Sequence, residues 1–196
     1  MLTDNPAPTD RHQAILDAAV GVFLRYGYRK TSMDDLARAA DLSRQGLYLH
    51  FPSKEALFTQ AVTRLTGQAL TAMRASLARE GVALEERLVG AFTALHAQDG
   101  AAPMPLEHMA EIVATARQLV GPVLAAFEQA LVEALEQAIA AAGVAAPGLT
   151  ARALALHLQA ASHGLKHHAA TAADYEAGMR VAARLVCDGM RGAGRP

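Results

Sequence analysis

The sequence has one cysteine, Cys187, and no tryptophan, and its formal net charge is only −1. A single cysteine excludes a disulfide within the chain and suits a reducing compartment, so we expect a cytoplasmic protein. The near-zero charge provides no overall basic field that would favour nucleic acid or a membrane, so any such site must be local. The N-terminus lacks the apolar core of a signal peptide, and no apolar run approaches the ~20 residues of a membrane span. We therefore expect no membrane partner.

Alanine and leucine dominate the hydrophobic residues, which make up 52% of the chain, and this balance favours helices. Apolar residues recur at steps of three and four, and strand-like alternation is rare. The sequence predicts an all-α protein: a flexible arm at 1–9, a three-helix module at 10–58 and a helical bundle at 59–196. After four early helices we expect five more near 84–97, 105–117, 122–142, 150–169 and 174–190, which gives about nine.

Capping residues divide the first module into short helices. Gly27 ends the first helix, Thr31 or Ser32 caps the second, and Ser43 caps a third that begins at Arg44. Pro52 stops the third helix and Ser53 caps a long fourth one. Two short helices separated by about three residues predict a helix-turn-helix, whose second helix fits the major groove of DNA.

The third helix separates its anchors from its hydrogen-bonding side chains. Leu47 and Phe51, four residues apart, are expected to bury. The outward residues are Arg44, Gln45, Tyr48 and Leu49, with His50 and Lys54 beside the end of the helix. Arginine and glutamine suit the edges of guanine and adenine, and tyrosine, histidine and lysine can hold phosphates. The alternative is a tight helical corner with a solvated polar face.

Residues 10–58 resemble the tetracycline-repressor (TetR) family of bacterial transcriptional regulators. The resemblance rests on the end of helix one, "FLRYGY", on "TSMDDLARAA" and on "LYLHFPSKEALF". It implies that Thr31, Ser32, Tyr48, His50 and Lys54 contact phosphates, whereas Arg44, Gln45 and Gly46 lie against bases. The full set of predicted DNA contacts is Lys30, Thr31, Ser32, Ser43, Arg44, Gln45, Gly46, Tyr48, Leu49, His50 and Lys54. Two positions depart from the family pattern. Asp41 replaces the usual turn glycine, and Leu49 replaces an aromatic residue or histidine, which makes a thymine methyl its plausible target.

The last two predicted helices have an apolar pattern that indicates an interface with another chain. The apolar arc of the final helix covers about half of its circumference, which is wider than the ~100° needed to pack on one core. The resemblance implies a homodimer with a four-helix interface, and the predicted interface residues are Leu154, Leu158, Ala161, Leu165, Met179, Ala182 and Val186. Val181 and Leu185 form a second stripe beside them. The alternative is an apolar face buried wholly within one protomer.

The helical bundle is also the expected site of an effector. Its candidate pocket residues are Phe92, His96, Met109, Phe127, Glu128 and Leu131. The apolar composition of this region predicts a mainly apolar small molecule. Glu128 falls within an apolar arc, where a buried carboxylate needs a partner. Two alternatives stay open for it: an internal salt bridge or the anchoring group of a ligand pocket.

Three side chains are candidates for metal binding or for an accessible thiol. His163 and His167 have a spacing that can place two imidazoles on one metal, but no third ligand follows at helical spacing, so we expect no metal and no cofactor. Cys187 is expected on the polar side of the last helix, accessible to solvent.

The sequence as a whole predicts a ligand-responsive regulator, a repressor released from a palindromic DNA operator. The alternatives are a constitutive DNA binder without an effector and a helical-bundle enzyme. We find no nucleophile–base pair, metal quartet or phosphate loop in the sequence, so we expect no enzyme.

Overall fold

The computed structural model describes residues 8–96, 106–144 and 148–191, and the side chains of these residues except those of 8–10, 96 and 106–110. The described residues form eight helices and no strand, so the predicted all-α class is confirmed. The helices are α1 (Pro8–Tyr26), α2 (Met33–Ala39), α3 (Arg44–His50), α4 (Lys54–Leu77), α5 (Leu84–His96), α6 (Leu106–Ala142), α7 (Ala151–His168) and α8 (Ala172–Met190).

The chain divides into two compact units. Residues 1–66 and 100–125 form the N-terminal unit, and residues 67–99 and 126–196 form the C-terminal unit. The division falls inside α4 and α6, so each of these helices contributes one half to each unit. The sequence alone suggested a boundary between residues 58 and 59, at the start of α4.

The N-terminal unit has its own apolar core, built from α1 to α4 and completed by the first half of α6. Phe23 of α1 packs edge-on against Phe58 of α4, with ring centroids 5.1 Å apart. Leu47 of α3 is fully buried in the same cluster. Ala116 and Val120 of α6 are also buried there, so the core depends on residues far downstream in the sequence.

The C-terminal unit is organised around α8, which packs against α5 and α7. Leu158 and Met179 are fully buried in its core. Gly178 marks a close approach of α7 and α8, because a Cβ at this position would lie 2.5 Å from Leu165 Cδ2. Arg184 of α8 also pairs with Glu85 of α5 at 3.2 Å.

Helix α6 explains the difference between the nine helices predicted and the eight observed. The segments predicted at 105–117 and 122–142 run as one element with a kink at Val120, where φ is −134° and ψ is 29°. Pro122 lies two residues further on and lacks the N–H that a continuous helix would use. The predicted interruption is therefore present, as a kink within one helix rather than a loop between two.

Among the described residues, one segment, Glu111–Ala142 of α6, is long and apolar enough to cross a membrane by length and composition alone. The core helix of a globular protein passes the same test. Several apolar side chains of this segment have such partners: Ala116 and Val120 pack in one core, and Leu131, Leu135 and Ile139 in the other.

Candidate DNA-binding surface

Helix α2 begins at a reciprocal cap. The Ser32 hydroxyl accepts a hydrogen bond from the Asp35 backbone N–H at 3.2 Å, and the Asp35 carboxylate accepts from the Ser32 N–H at 3.0 Å and from its hydroxyl at 2.6 Å. These hydrogen bonds hold the pKa of the Asp35 carboxyl below its usual value. Ser32 is thus the N-cap of α2, one of the two residues that the sequence offered for this role.

The turn between α2 and α3 is equally well defined. Asp41, which replaces the family's usual turn glycine, adopts φ of 53°, a left-handed conformation that aspartate tolerates better than most residues, and the Leu42 N–H donates to the Ala37 carbonyl at 2.9 Å. Ser43 then caps α3, its hydroxyl accepting from the Gly46 N–H at 3.0 Å. Because α2 packs directly against α3, these residues form a helix-turn-helix.

Two side chains anchor α3 to the N-terminal unit. Leu47 and Phe51 are both fully buried, as predicted. The sequence did not indicate the ring that covers Phe51: His12 of α1 stacks on it with centroids 4.6 Å apart and reaches Gln60 of α4 through Nε2 at 2.9 Å. The anchors fix the orientation of a helix that is only seven residues long.

The opposite side of α3 faces solvent. Arg44, Gln45, Tyr48 and Leu49 are exposed, with Leu49 at 87% of its full accessibility, and His50 is exposed at the end of the helix. An exposed leucine on a rigid, hydrogen-bonding face is available for an apolar contact outside the protomer. Gly46 lies at the half-buried edge, where a Cβ would approach Ser43 Oγ to 3.2 Å.

Arg44 is restrained in a way that its sequence neighbours do not reveal. Its Nη1 pairs with the Asp34 carboxylate of α2 at 3.2 Å, and its guanidinium lies 5.7 Å from the centroid of the Tyr48 ring. Hydrogen bonding to Tyr48, followed by attraction to Asp34, raises the pKa of Arg44 above its already high value, so it stays cationic. Asp34 was missed because the two residues lie on different helices, ten positions apart.

Lys54 binds other residues of the N-terminal unit more closely than expected for a side chain that contacts a DNA phosphate. Its Nζ donates to the Tyr28 and Thr31 carbonyls, both at 3.0 Å, and lies 4.3 Å from the centroid of the Tyr28 ring. Burial of Tyr28 raises the pKa of its phenol. An ammonium group has three donors. In Lys54 two of them tie the start of α4 to the loop between α1 and α2.

That loop divides its polar residues between the interior and solvent. Thr31 is only 2% exposed and its hydroxyl donates to the Gly27 carbonyl at 2.6 Å, so the expectation that Thr31 contacts a phosphate is wrong for the described conformation. Lys30 is exposed and remains a candidate, whereas Ser32 is exposed but donates both its N–H and its hydroxyl to Asp35. Hydrogen bonding from a buried threonine to a helix-terminal carbonyl explains the correction, because it satisfies an acceptor that the end of the helix leaves free.

The predicted dimer residues require a second correction. Leu154, Leu158, Met179 and Val186 are buried in the protomer's own core, and Ala161, Leu165 and Ala182 are half-buried. Four of the seven therefore face inward and cannot meet a partner directly. The neighbouring stripe of α8 is the exposed one, with Val181 and Leu185 at 61% and 68% of full accessibility. Leu156 of α7 is also exposed, at 47%.

The candidate effector residues lie in different environments. Phe92 and Leu131 are buried in the core of the C-terminal unit, and Phe127 packs partly buried against it. Glu128 is exposed, so the expected burial of its carboxylate is wrong: the arc of apolar residues on α6 does not extend to its side chain. The side chains of His96 and Met109 lie outside the described residues.

The remaining candidates are the two histidines of α7 and Cys187 of α8. His163 and His167 are both exposed on α7, and no group of three or more potential metal ligands occurs among the residues that the structure describes. Cys187 is buried rather than accessible, and burial raises the pKa of its thiol. The prediction of an accessible cysteine is therefore wrong.

Comparisons with known proteins identify the N-terminal region. Residues 15–61 match the family model of the bacterial regulatory proteins of the tetR family. The HTH-type transcriptional regulator YhgD of Bacillus subtilis is 39% identical over 56 residues, and the biofilm-operon negative transcriptional regulator IcaR of Staphylococcus aureus is 38% identical over 48 residues. These matches cover 29% and 24% of this chain, and they span only 29% and 26% of the two relatives.

The similarity of fold extends much further than the similarity of sequence. A crystal structure of a protein from Mesorhizobium loti, described as a TetR-family transcriptional regulator, superposes with a TM-score of 0.74 at 21% identity, over 94% of this chain and 98% of the other. Residues 15–61 therefore carry the sequence pattern of the TetR family of transcriptional regulators, and the fold of the whole chain is similar to that of a protein described as a member of this family.

Proposed function

We propose that the protein is a sequence-specific regulator of transcription that binds double-stranded operator DNA through α3. The observation that carries this proposal is the division of α3 into two fully buried anchors, Leu47 and Phe51, and an opposite exposed face. A helix held in this way can enter the major groove without rearranging, because its backbone is fixed by the core beneath it.

The exposed side chains suit complementary tasks on a duplex. Arg44 and Gln45 lie in the first turn of α3, where side chains reach base edges, and they match guanine and adenine. Leu49 offers an apolar surface to a thymine methyl. Tyr48 and His50 can donate to phosphates at the flanks. The same role falls to the exposed Lys30 and Ser43, whereas Ser32 already donates both its N–H and its hydroxyl to Asp35.

We propose that the protein acts as a homodimer on a palindromic site. The exposed apolar side chains Val181 and Leu185 of α8, together with Leu156 of α7, are the residues we assign to the dimer surface. An apolar stripe on these helices gains more from covering by a second copy than from contact with water. A dimer with two-fold symmetry presents two copies of α3 related by that symmetry. The operator that matches them is therefore a palindrome.

We further propose that the protein is a cytoplasmic repressor released from DNA by a mainly apolar small molecule bound in the C-terminal unit. The relative IcaR is named as a negative regulator, which supports the sign of regulation. The buried side chains described in this unit are apolar except those of Ser162, Tyr175 and Cys187, so an enclosed ligand would meet apolar walls near Phe92, Phe127 and Leu131. Such a ligand acts only if it binds the two conformations with different affinities.

Selection of duplexes from a random library, followed by fluorescence anisotropy, tests the DNA-binding proposal. Arg44→Ala should reduce discrimination at one base pair by roughly ten- to hundredfold, whereas Tyr48→Ala should weaken binding to selected and scrambled duplexes alike. Arg79→Ala, an exposed arginine of the C-terminal unit, is the matched control. Failure of the wild type to select any sequence would refute the proposed function.

A thermal-shift screen tests the effector, because a ligand that binds only the folded state raises the melting temperature by mass action. Aromatic and acyl compounds should give hits that release the selected duplex, and Leu131→Trp should abolish both effects by occupying the proposed position of the ligand. If only sugars, nucleotides or metal ions shift the melting curve, the apolar site is wrong. If no compound releases the DNA, the protein is a constitutive binder.

A further inference from the structure

A surface cleft lies between α1 and α2 on the N-terminal unit, with a volume of about 690 Å³. Small residues, among them Ala18, Gly21 and Ala39, line part of it, and a Cβ added at Gly21 would meet no atom within 4 Å. This volume lies within the range of clefts that hold small ligands or ligand groups. The helix-turn-helix does not require such space, since its own core is filled by other residues.

The cleft carries an excess of positive charge. Arg25, Lys30 and Arg38 line it, and Asp35 is the single carboxylate among its lining residues. The carboxylate of Asp35 is already engaged, because it accepts two hydrogen bonds from Ser32 and lies 3.6 Å from Arg38. It can therefore neutralise only part of the charge of the three cations.

Two of the cations are left without a carboxylate. Arg25 is exposed and its guanidinium lies 5.4 Å from the ring centroid of Tyr26, and Lys30 is exposed in the following loop. Neither forms an ion pair with a residue that the structure describes. Exposed, unneutralised arginine and lysine side chains around one concavity attract an anion, and a guanidinium fits a phosphate with two parallel hydrogen bonds.

We propose that this cleft binds a phosphate group through Arg25, Lys30 and Arg38, and that the phosphate comes from the DNA backbone flanking the base pairs read by α3. The proposal rests on the proposed function. Lys30 joins the two surfaces, because it lines the cleft and lies two residues before the Ser32 cap of the helix-turn-helix. The cleft and α3 belong to the same N-terminal unit, so a duplex extended beyond the site read by α3 is the one that tests this contact. A free phosphorylated small molecule is the other source of the same chemical group.

The salt dependence of DNA binding measures this contact. Each phosphate contact adds about 0.9 to the slope of the logarithm of the binding constant against the logarithm of salt concentration. Arg25→Gln should therefore lower the slope by about 0.9 on a duplex extended beyond the selected site, and leave it unchanged on a duplex trimmed to that site. Arg38→Gln should act in the same direction, and Arg79→Gln, outside the cleft, should change neither slope.

Calorimetry with inorganic phosphate distinguishes the two sources. If the cleft takes free phosphate, the wild type binds inorganic phosphate, Arg25→Gln does not, and the DNA slopes of the two proteins agree. Equal slopes together with no phosphate binding by the wild type overturn the proposal. Circular dichroism melting confirms that the variants are folded. Failure of the proposed function would give a different result. The wild type would then show no sequence preference on DNA, while the phosphate titration would still measure binding to the cleft.

Discussion

Replacing Lys54 with methionine tests whether this residue holds the DNA-binding unit together. Methionine keeps most of the apolar stem but removes the two hydrogen bonds to the Tyr28 and Thr31 carbonyls and the contact with the Tyr28 ring. A hydrogen bond to a charged group contributes about 1.5–3 kcal/mol, and the two carbonyls can regain part of this from water because the site is only partly buried. We expect the free energy of unfolding to fall by about 2–3 kcal/mol.

Urea denaturation followed by tyrosine fluorescence measures this loss selectively. The chain has no tryptophan, and three of its four tyrosines lie in the N-terminal unit. Lys30→Met is the matched control, since Lys30 lies in the same loop but is exposed, and its replacement should change the free energy of unfolding by less than about 0.5 kcal/mol. The reasoning is refuted if Lys54→Met unfolds like the wild type but binds every duplex more than about tenfold more weakly, because Nζ would then act on phosphates rather than on the loop.

Three further predictions concern charge and the two apolar stripes. Asp34→Asn should tighten binding to every duplex by about two- to threefold in low salt, measured by anisotropy, because a carboxylate beside Arg44 no longer repels the phosphates; weaker binding would contradict this. The pKa of Asp35 is lowered in the folded state, so its contribution to stability is complete above its ordinary pKa of 3.8 and disappears as the pH falls through the lowered value. The difference in urea midpoint between the wild type and Asp35→Asn should shrink over that range, and a difference independent of pH would exclude the capping role. In sedimentation, Leu185→Glu should give folded monomers and Leu158→Glu unfolded chain; a folded dimer of Leu185→Glu would exclude the exposed stripe as the interface.

The sequence was most successful in predicting features that depend only on residues close together in the chain. The caps at Ser32, Ser43 and Ser53 depend on hydrogen bonds that span three residues, and the left-handed turn at Asp41 depends on one backbone angle. The burial of the two anchors, Leu47 and Phe51, follows from their spacing of four residues, because α3 has a single buried side. These features can be recognised without knowing where any other helix lies.

The sequence failed where burial depends on the placement of distant helices. On α8 the stripe that contains Met179 and Val186 meets the core, whereas Val181 and Leu185 remain exposed, although both stripes are apolar. Periodicity gives the angle between two stripes but not which one faces a neighbour. The exposed carboxylate of Glu128 was misjudged for the same reason. The internal hydrogen bonds of Lys54 were missed because their acceptors are backbone carbonyls, which every residue has.

The participation of α6 in the N-terminal core limits how the chain can be shortened. Helices α2 and α3 have seven residues each, too few to persist as isolated helices in water, so their shape depends on the core beneath them. Ala116 and Val120, buried in that core, follow the end of α4 by some forty residues. A fragment cut after α4 would carry every side chain proposed to touch DNA, yet it would expose the apolar surface that these residues cover. The N-terminal unit, which carries all of these side chains, is therefore discontinuous in sequence.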